Sequence, residues 1–186
     1  MTRPINNQDD INQNLWKMKR KRNTWSEAEA LDWPIDTNFN ELFPAVTLSG
    51  AIYFTRTIPK KETFIYKSKL VDNKYEEPKR LGIEMDLTND QFSAFVSPDE
   101  SYIIVPNGKR KRGKGGTNYY VCFRNKDDKW SKPFNLNKGV NSEYSKELSV
   151  YVSPDGEYLY FVSDKGPNSK RLSRMYRVNG SVIENF

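Results

Sequence analysis

The sequence predicts an all-β fold built from short antiparallel strands, and three observations support this prediction. The clearest stretch, 149–165, alternates apolar and polar residues with a period of two, which is typical of strands with one buried face. In its middle, Ser153-Pro154-Asp155-Gly156 has the composition of a tight turn, because Pro presets φ, Asp bonds nearby backbone and Gly accepts a positive φ. The third observation is that imperfect copies of this hairpin occur twice earlier in the chain, at 43–56 and 93–106.

These copies recur with a nearly constant step. Intervals of 50 and 56 residues separate three equivalent valines, Val46, Val96 and Val152. Intervals of 50 and 55 residues separate three aromatic residues that precede the hairpins, Trp25, Tyr75 and Trp130. Because two independent markers keep nearly the same step, the chain contains an internal repeat, which is typical of stacked or radial repeat folds.

Each repeat unit is predicted to contain four short strands. An aromatic strand comes first, at 14–20, 62–70, 117–124 and 171–178. A polar turn, a short strand, a connecting loop and the hairpin follow. Four strands in about 50 residues, with turn residues between them and no helical periodicity, predict a β-propeller of four-stranded antiparallel blades. A β-sandwich is the main alternative, but it gives no reason for the sequence to repeat.

The unit boundaries define the predicted domain organisation. Residues 1–13 form an N-terminal extension, and 14–186 form the propeller, with units at about 14–61, 62–116, 117–170 and a partial unit at 171–186. With a last strand at 181–186, roughly fourteen strands make about three and a half blades, whereas closed propellers have about four to eight. We therefore expect the C-terminal part of a longer propeller whose N-terminal blades are missing. A small, irregular four-bladed ring is the alternative.

Composition excludes several classes of active site. The chain has 186 residues, a net charge of +6, 13% aromatic residues, one cysteine and no histidine. The lack of histidine excludes Ser-His-Asp and Cys-His nucleophilic sites and His-bearing zinc sites. Cys122 lies in an alternating strand and is predicted to be buried. No apolar run approaches 18 residues, and the N-terminus has no signal-peptide core, so we expect no membrane span. We also expect no cofactor.

A run of basic residues among glycines is the first candidate site. Its members are Lys109, Arg110, Lys111, Arg112 and Lys114. They could bind a phosphate, an acidic glycan or another anionic polymer, although we do not expect nucleic acid as the partner. The alternative is a solvated lysine-rich loop at the outside of a blade, which is common for charge runs.

A repeated polar loop before each hairpin is the second candidate site. In a propeller this loop leads into the innermost strand, so its oxygens could gather at one mouth of the central channel and bind a hard cation or a cationic partner. Its members are Asp36, Glu41, Asp86, Asp90, Asn141 and Glu147, with Trp33 as an unrepeated aromatic residue beside them. The alternative is that these Asp and Asn side chains only cap turns.

Val152 to Phe161, V-S-P-D-G-E-Y-L-Y-F, resembles the WD-like β-propeller repeat that is built on an S-P-D-G turn. This family includes the propeller of the periplasmic protein TolB. The preceding stretch, 129–142, has the similar W-x-x-P-x-x-L pattern, and the resemblance extends over 14–186. The first copy departs from it with Leu48-Ser49-Gly50, and the second has Glu100 where Gly is usual.

The resemblance implies a propeller fold and a periplasmic or extracellular setting, although the signal peptide of exported members is absent here. Because propellers host many unrelated functions, it says little about the ligand. We expect a non-catalytic scaffold that mediates protein or ligand binding. The alternatives are an accessory or partial domain of a carbohydrate-active lyase or hydrolase, and anionic-polymer binding through the loop 109–114.

We predict that replacing Lys109, Arg110, Lys111 and Arg112 together by Ser leaves the fold intact, because a solvated loop contributes little to the core. Thermal denaturation followed by circular dichroism checks this, with an unchanged melting temperature as the expected result. Loss of cooperative unfolding would show that these residues belong to a strand and not to a loop.

Overall fold

The computed structural model describes residues 13–58, 62–82, 91–108, 116–142, 147–164 and 173–184. In these ranges the protein is all-β, with fifteen strands, one helical turn at Asn137–Val140 and a 3-10 helix at Gly180–Ile183. No helix within them is long and apolar enough to cross a membrane. The basic run at 109–114 and the residues Asp86 and Asp90 lie outside the described residues.

The described strands form four main antiparallel sheets, which follow one another along the chain, and one separate two-stranded hairpin. Sheet one contains β1 (Trp16–Lys17) and β2 (Glu29–Ala30). Sheet two has the order β3 (Asn40–Val46), β4 (Ile52–Ile58), β5 (Glu62–Ser68) and β8 (Lys79–Arg80), with a side hairpin of β6 (Leu70–Val71) and β7 (Lys74–Tyr75). Sheet three has the order β9 (Phe95–Val96), β10 (Tyr102–Gly108), β11 (Thr117–Phe123) and β12 (Phe134–Asn135). Sheet four has the order β13 (Glu147–Val152), β14 (Tyr158–Ser163) and β15 (Arg174–Asn179).

Three apolar cores fill the spaces between consecutive sheets. Strand β10 contributes side chains to two of these cores, because successive side chains of a strand point to opposite faces of the sheet. Ile103 and Val105 pack against Tyr53 of sheet two, whereas Ile104 packs against Leu159 of sheet four. A third core joins sheet one to sheet two. The sheets therefore form four successive layers, and the central strands are buried on both faces.

The same backbone hydrogen bonds recur in three of the four sheets. One set joins the last strand of a sheet to its neighbour: Leu31 to Leu15, Leu81 to Ile65 and Leu136 to Tyr119. A second set follows each marker aromatic residue: Ser26 to Lys19, Glu76 to Lys69 and Ser131 to Phe123. Residues that the sequence places at equivalent positions thus make equivalent contacts.

The first strands of the three larger sheets lie side by side at the edges of those sheets. Strands β3, β9 and β13 each have a paired neighbour on one side only, and β9 contacts both β3 and β13. The Leu48 N–H, just after β3, donates to the Pro98 carbonyl after β9 at 2.8 Å. The ends of these three edge strands are therefore gathered at one place.

The predicted S-P-D turns are present after β9 and β13. The hydroxyls of Ser97 and Ser153 each accept a backbone N–H five residues on, at 3.0 Å in both turns. Gly156 has a φ of 76°, as its position in the turn requires. At the equivalent position Glu100 has a φ of 61°, which is uncommon for a residue with a side chain.

The predicted last strand at 181–186 is wrong. Gly180–Ile183 forms a 3-10 helix, because the Asn179 side chain accepts the Ser181 N–H at 2.9 Å and turns the chain away from β15. Ile183 is then buried in the core between sheets three and four. In the described part of the chain, sheet four consequently has three strands.

Gly180 lies too close to the neighbouring turn to carry a side chain. An added Cβ would lie 1.9 Å from the Gly156 carbonyl oxygen, so the backbone must shift. We expect Gly180→Ala to lower the free energy of unfolding by about 1–3 kcal/mol. Gly82→Ala is the matched control, because its Cβ would meet nothing within 4 Å. Urea denaturation of both variants checks this, and equal stabilities would contradict the close contact.

Candidate functional site

A cavity of about 710 Å³ opens where the three edge strands end. We call it the edge groove, and its lining residues are drawn from 43–48, 93–102 and 150–156. The lining residues belong to the ends of β3, β9 and β13 and to the turns next to them. A cavity of this size lies within the range of about 300–1,000 Å³ that small-molecule pockets occupy.

The edge groove exposes apolar side chains. Leu48 is 83% exposed and Val46 is 64% exposed, and Phe43 and Tyr151 are each about half exposed. Single exposed apolar residues are ordinary, but a cluster of them around one cavity is typical of a binding surface. The ring of Tyr151 is held edge-on against Phe95, with the centroids 5.9 Å apart, so this wall is fixed by packing.

Irregularities in the edge strands direct these side chains. The pairing of β3 with β4 shifts between Leu42 and Ala45, and the pairing of β13 with β14 shifts between Glu147 and Val150. Phe43, inside the first irregularity, has a φ of 51°. Bulges of this kind bend a strand and re-aim one side chain. The irregularity in β3 accounts for the four consecutive residues Phe43 to Val46 that line the edge groove, where a regular strand would present alternate residues.

Two carboxylates, Asp99 and Asp155, are the charged groups among the described residues that line the edge groove. Hydrogen bonds from the Ser101 hydroxyl and N–H lower the pKa of Asp99. Bonds from the Ser153 hydroxyl and the Glu157 N–H lower the pKa of Asp155. Both groups are therefore ionised at neutral pH, and the groove carries negative charge in a chain whose net charge is +6.

Glu100, next to Asp99, is the centre of a buried polar cluster. Its buried carboxylate accepts hydrogen bonds from five side chains at 2.5–2.9 Å: Thr47, Ser49, Tyr53, Lys67 and Arg124. The first four belong to sheet two or its turn, and Arg124 follows β11 of sheet three. We call this arrangement the Glu100 clamp, because it joins two sheets through one side chain.

The Glu100 clamp is structural and not an acid–base pair. Burial alone raises the pKa of Glu100, but the hydrogen bonds from Lys67, Ser49, Tyr53 and Thr47 outweigh it and hold the pKa at about 2. Burial and the bond to Glu100 raise the pKa of Tyr53, which keeps the phenol neutral. Neither group can exchange a proton near neutral pH, so neither is suited to proton transfer.

Cys122 is buried, as the sequence predicts. Burial raises the pKa of its thiol to about 12. Because the thiolate is the reactive form, this cysteine is not a nucleophile.

Two of the predicted channel-mouth residues lie between sheets one and two. The Glu41 side chain is fully buried and accepts from Arg56 Nε at 2.9 Å and from Thr37 Oγ1 at 2.5 Å. The Arg56 guanidinium also donates to the Ile35 carbonyl at 3.0 Å. Asp36 accepts from the Asn14 amide at 3.3 Å. These contacts are internal and fasten the polar loop to the second sheet.

Three other members of that set lie in the described ranges. The Asn141 side chain accepts the Tyr119 N–H at 2.8 Å and donates to the Tyr119 carbonyl at 2.9 Å, so its amide group pairs with the backbone of β11. Trp33 is 77% exposed in its loop. Glu147 is the first residue of β13. Within the described ranges, no group of three or more Cys, Asp and Glu side chains is arranged to hold a metal ion.

The edge groove lies at the opposite end of the edge strands from the predicted site. Glu41 is near the start of β3, whereas Val46 is its last residue. One sequence feature could have indicated the groove. Leu48 is an apolar residue at the tip of a turn, where the other two copies have Pro98 and Pro154.

No model of a known protein family matches the sequence, and no curated protein matches it.

The Glu100 clamp predicts a pH-dependent stability. Because the folded-state pKa of about 2 lies below the unfolded value near 4.5, the stabilisation is complete at neutral pH and is lost as the pH falls from about 4.5 to 2. We expect the difference in unfolding free energy between wild type and Glu100→Gln to shrink by about 3 kcal/mol over that window.

Urea denaturation at several pH values measures this difference. Glu157→Gln, at an exposed glutamate in the turn after β13, is the control for the removal of a carboxylate that does not belong to the clamp. A constant difference between wild type and Glu100→Gln across the same window is the outcome that contradicts the clamp.

Proposed function

We propose that this chain is a β-propeller-type interaction module that binds an extended apolar polypeptide segment in the edge groove. The single observation behind the proposed binding is that exposed apolar side chains surround a cavity at the ends of three adjacent edge strands. No catalytic role is proposed, because the titratable groups with the most perturbed pKa values are fastened in the Glu100 clamp or buried.

The propeller assignment is supported by the order of the layers. A β-sandwich has two sheets, whereas here four successive sheets pack face to face, and the inner two are covered on both sides. The first strands of three sheets also lie side by side, which is the arrangement of innermost strands around a propeller axis. The recurring hydrogen bonds and the resemblance to S-P-D-G repeats agree with this assignment. A periplasmic or extracellular setting stays a prediction from the resemblance.

An extended polypeptide fits the edge groove better than a compact ligand. The exposed apolar residues occur on two of the edge strands and on the turn after β3, so a ligand that contacts all of them must run across the strand ends. An extended segment can reach from β3 to β13 in this way. Its affinity would come from apolar burial.

The test begins with selection of binding decapeptides from a random library, followed by fluorescence anisotropy on the selected peptides. We expect Val46→Glu to raise Kd at least about tenfold, because it places a charge on the apolar wall. Val71→Glu is the control, since Val71 is also an exposed valine in a strand but lies outside the groove.

Three results would contradict the proposal. One is that no selected peptide binds with a Kd below about 100 μM, which corresponds to roughly 5–6 kcal/mol. Another is that both glutamate variants weaken binding equally. The third is that the chain forms a dimer in sedimentation velocity that Val46→Glu dissociates, because a second copy would then occupy the groove.

A further inference from the structure

We infer that the edge groove selects a cationic ligand, a polypeptide segment with a Lys or Arg side chain at one end of an apolar stretch. This inference rests on the proposed binding function and specifies the chemistry of the partner. It follows from the sign and the placement of charge within the groove.

The charge of the edge groove is opposite to that of the chain. Lysine and arginine outnumber aspartate and glutamate by 30 to 24, yet the charged side chains that line the groove in the described ranges are the two aspartates. The described lining holds two carboxylates and no basic side chain, so the edge groove attracts a cationic ligand. Complementary charge of this kind sets the specificity and the association rate of an interface.

The two carboxylates are held in place before any ligand arrives. Asp99 Oδ1 accepts the Ser101 N–H, and Asp155 Oδ1 accepts the Glu157 N–H, both at 3.0 Å. A carboxylate has about four lone-pair sites, so these turn contacts leave acceptor capacity for a ligand. Because the carboxylates are already ordered, a cation that binds them loses less free energy to side-chain ordering.

The groove is also polarised along its length. Its sheet-two end is apolar, with Phe43, Val46 and Leu48 exposed. Its other end, at sheets three and four, holds Asp99 and Asp155. A ligand is therefore oriented, with its apolar part on β3 and its cationic part on the S-P-D turns.

An aromatic ring adds a second attraction at the acidic end. Tyr151 lies in β13, is 53% exposed and lines the groove near Asp155 in the chain. A Lys or Arg head group over a tyrosine ring gains about 0.5–1 kcal/mol at exposed sites. Lysine and arginine also carry long aliphatic stems that can cover neighbouring apolar surface.

The experiment uses three fluorescein-labelled decapeptides that share one selected apolar core and differ at one position, which is Lys, norleucine or Glu. Norleucine matches the lysine stem without its charge. For the wild-type chain we expect Kd to rise in the order Lys, norleucine, Glu, with about a tenfold step between the first two at low salt. Raising the salt from about 20 mM to 500 mM should weaken the Lys peptide and leave the norleucine peptide unchanged.

The double variant Asp99→Asn/Asp155→Asn should abolish the preference for Lys and leave the affinity for norleucine unchanged. Asn keeps an oxygen that can accept the same turn N–H, so the fold should be retained, and thermal denaturation verifies this. Asp127→Asn, in the exposed turn of sheet three, is the matched control and should leave the order of the three peptides unchanged.

The outcomes separate the two proposals. Equal affinity of wild type for the Lys and norleucine peptides, or a Lys affinity that ignores salt, overturns the cationic inference and leaves the binding function standing. Failure of all three peptides to bind overturns the proposed function itself. If the double variant does not fold, the salt series on the wild-type chain still decides the inference.

Discussion

One buried carboxylate holds the second and third sheets in their relative positions. Removing an ionised side chain from water is costly, and Glu100 is stable there because five donors from two sheets surround it. Glu100 follows Asp99 directly, so the clamp also fixes the turn that closes the edge groove. The position of the candidate binding site therefore depends on an interaction that is not itself part of that site.

Much of the strand pattern could be predicted from the sequence, because burial in a layered sheet has a simple period. In β10, Ile103, Ile104 and Val105 face two cores in alternation, and such a run between turn residues predicts a strand. The same rule failed at the C-terminus. There the Asn179 side chain caps a 3-10 helix and Ile183 packs into a core, which a period of two cannot distinguish from a strand end.

The site could not be predicted, because it depends on which strand edges lie side by side. Sequence patterns identified the polar loops before the hairpins, yet Glu41 is used internally against Arg56. In the sequence alone, the two clearest departures from the repeat, Glu100 and Leu48, indicate only that two copies have lost residues of the S-P-D-G turn motif. In the structure they form the clamp and the apolar end of the edge groove.

Divergence among the copies is what makes the groove asymmetric. Three identical S-P-D turns would place a carboxylate after every edge strand and give a uniformly acidic surface. The first copy has Leu48-Ser49 instead, and the Ser49 hydroxyl donates to Glu100 at 2.6 Å, so that turn supports the clamp and exposes leucine. The three edge strands occupy equivalent positions in their sheets, and the substitutions give the turns after them different side chains. The proposed orientation of the ligand therefore depends on the positions at which the copies differ.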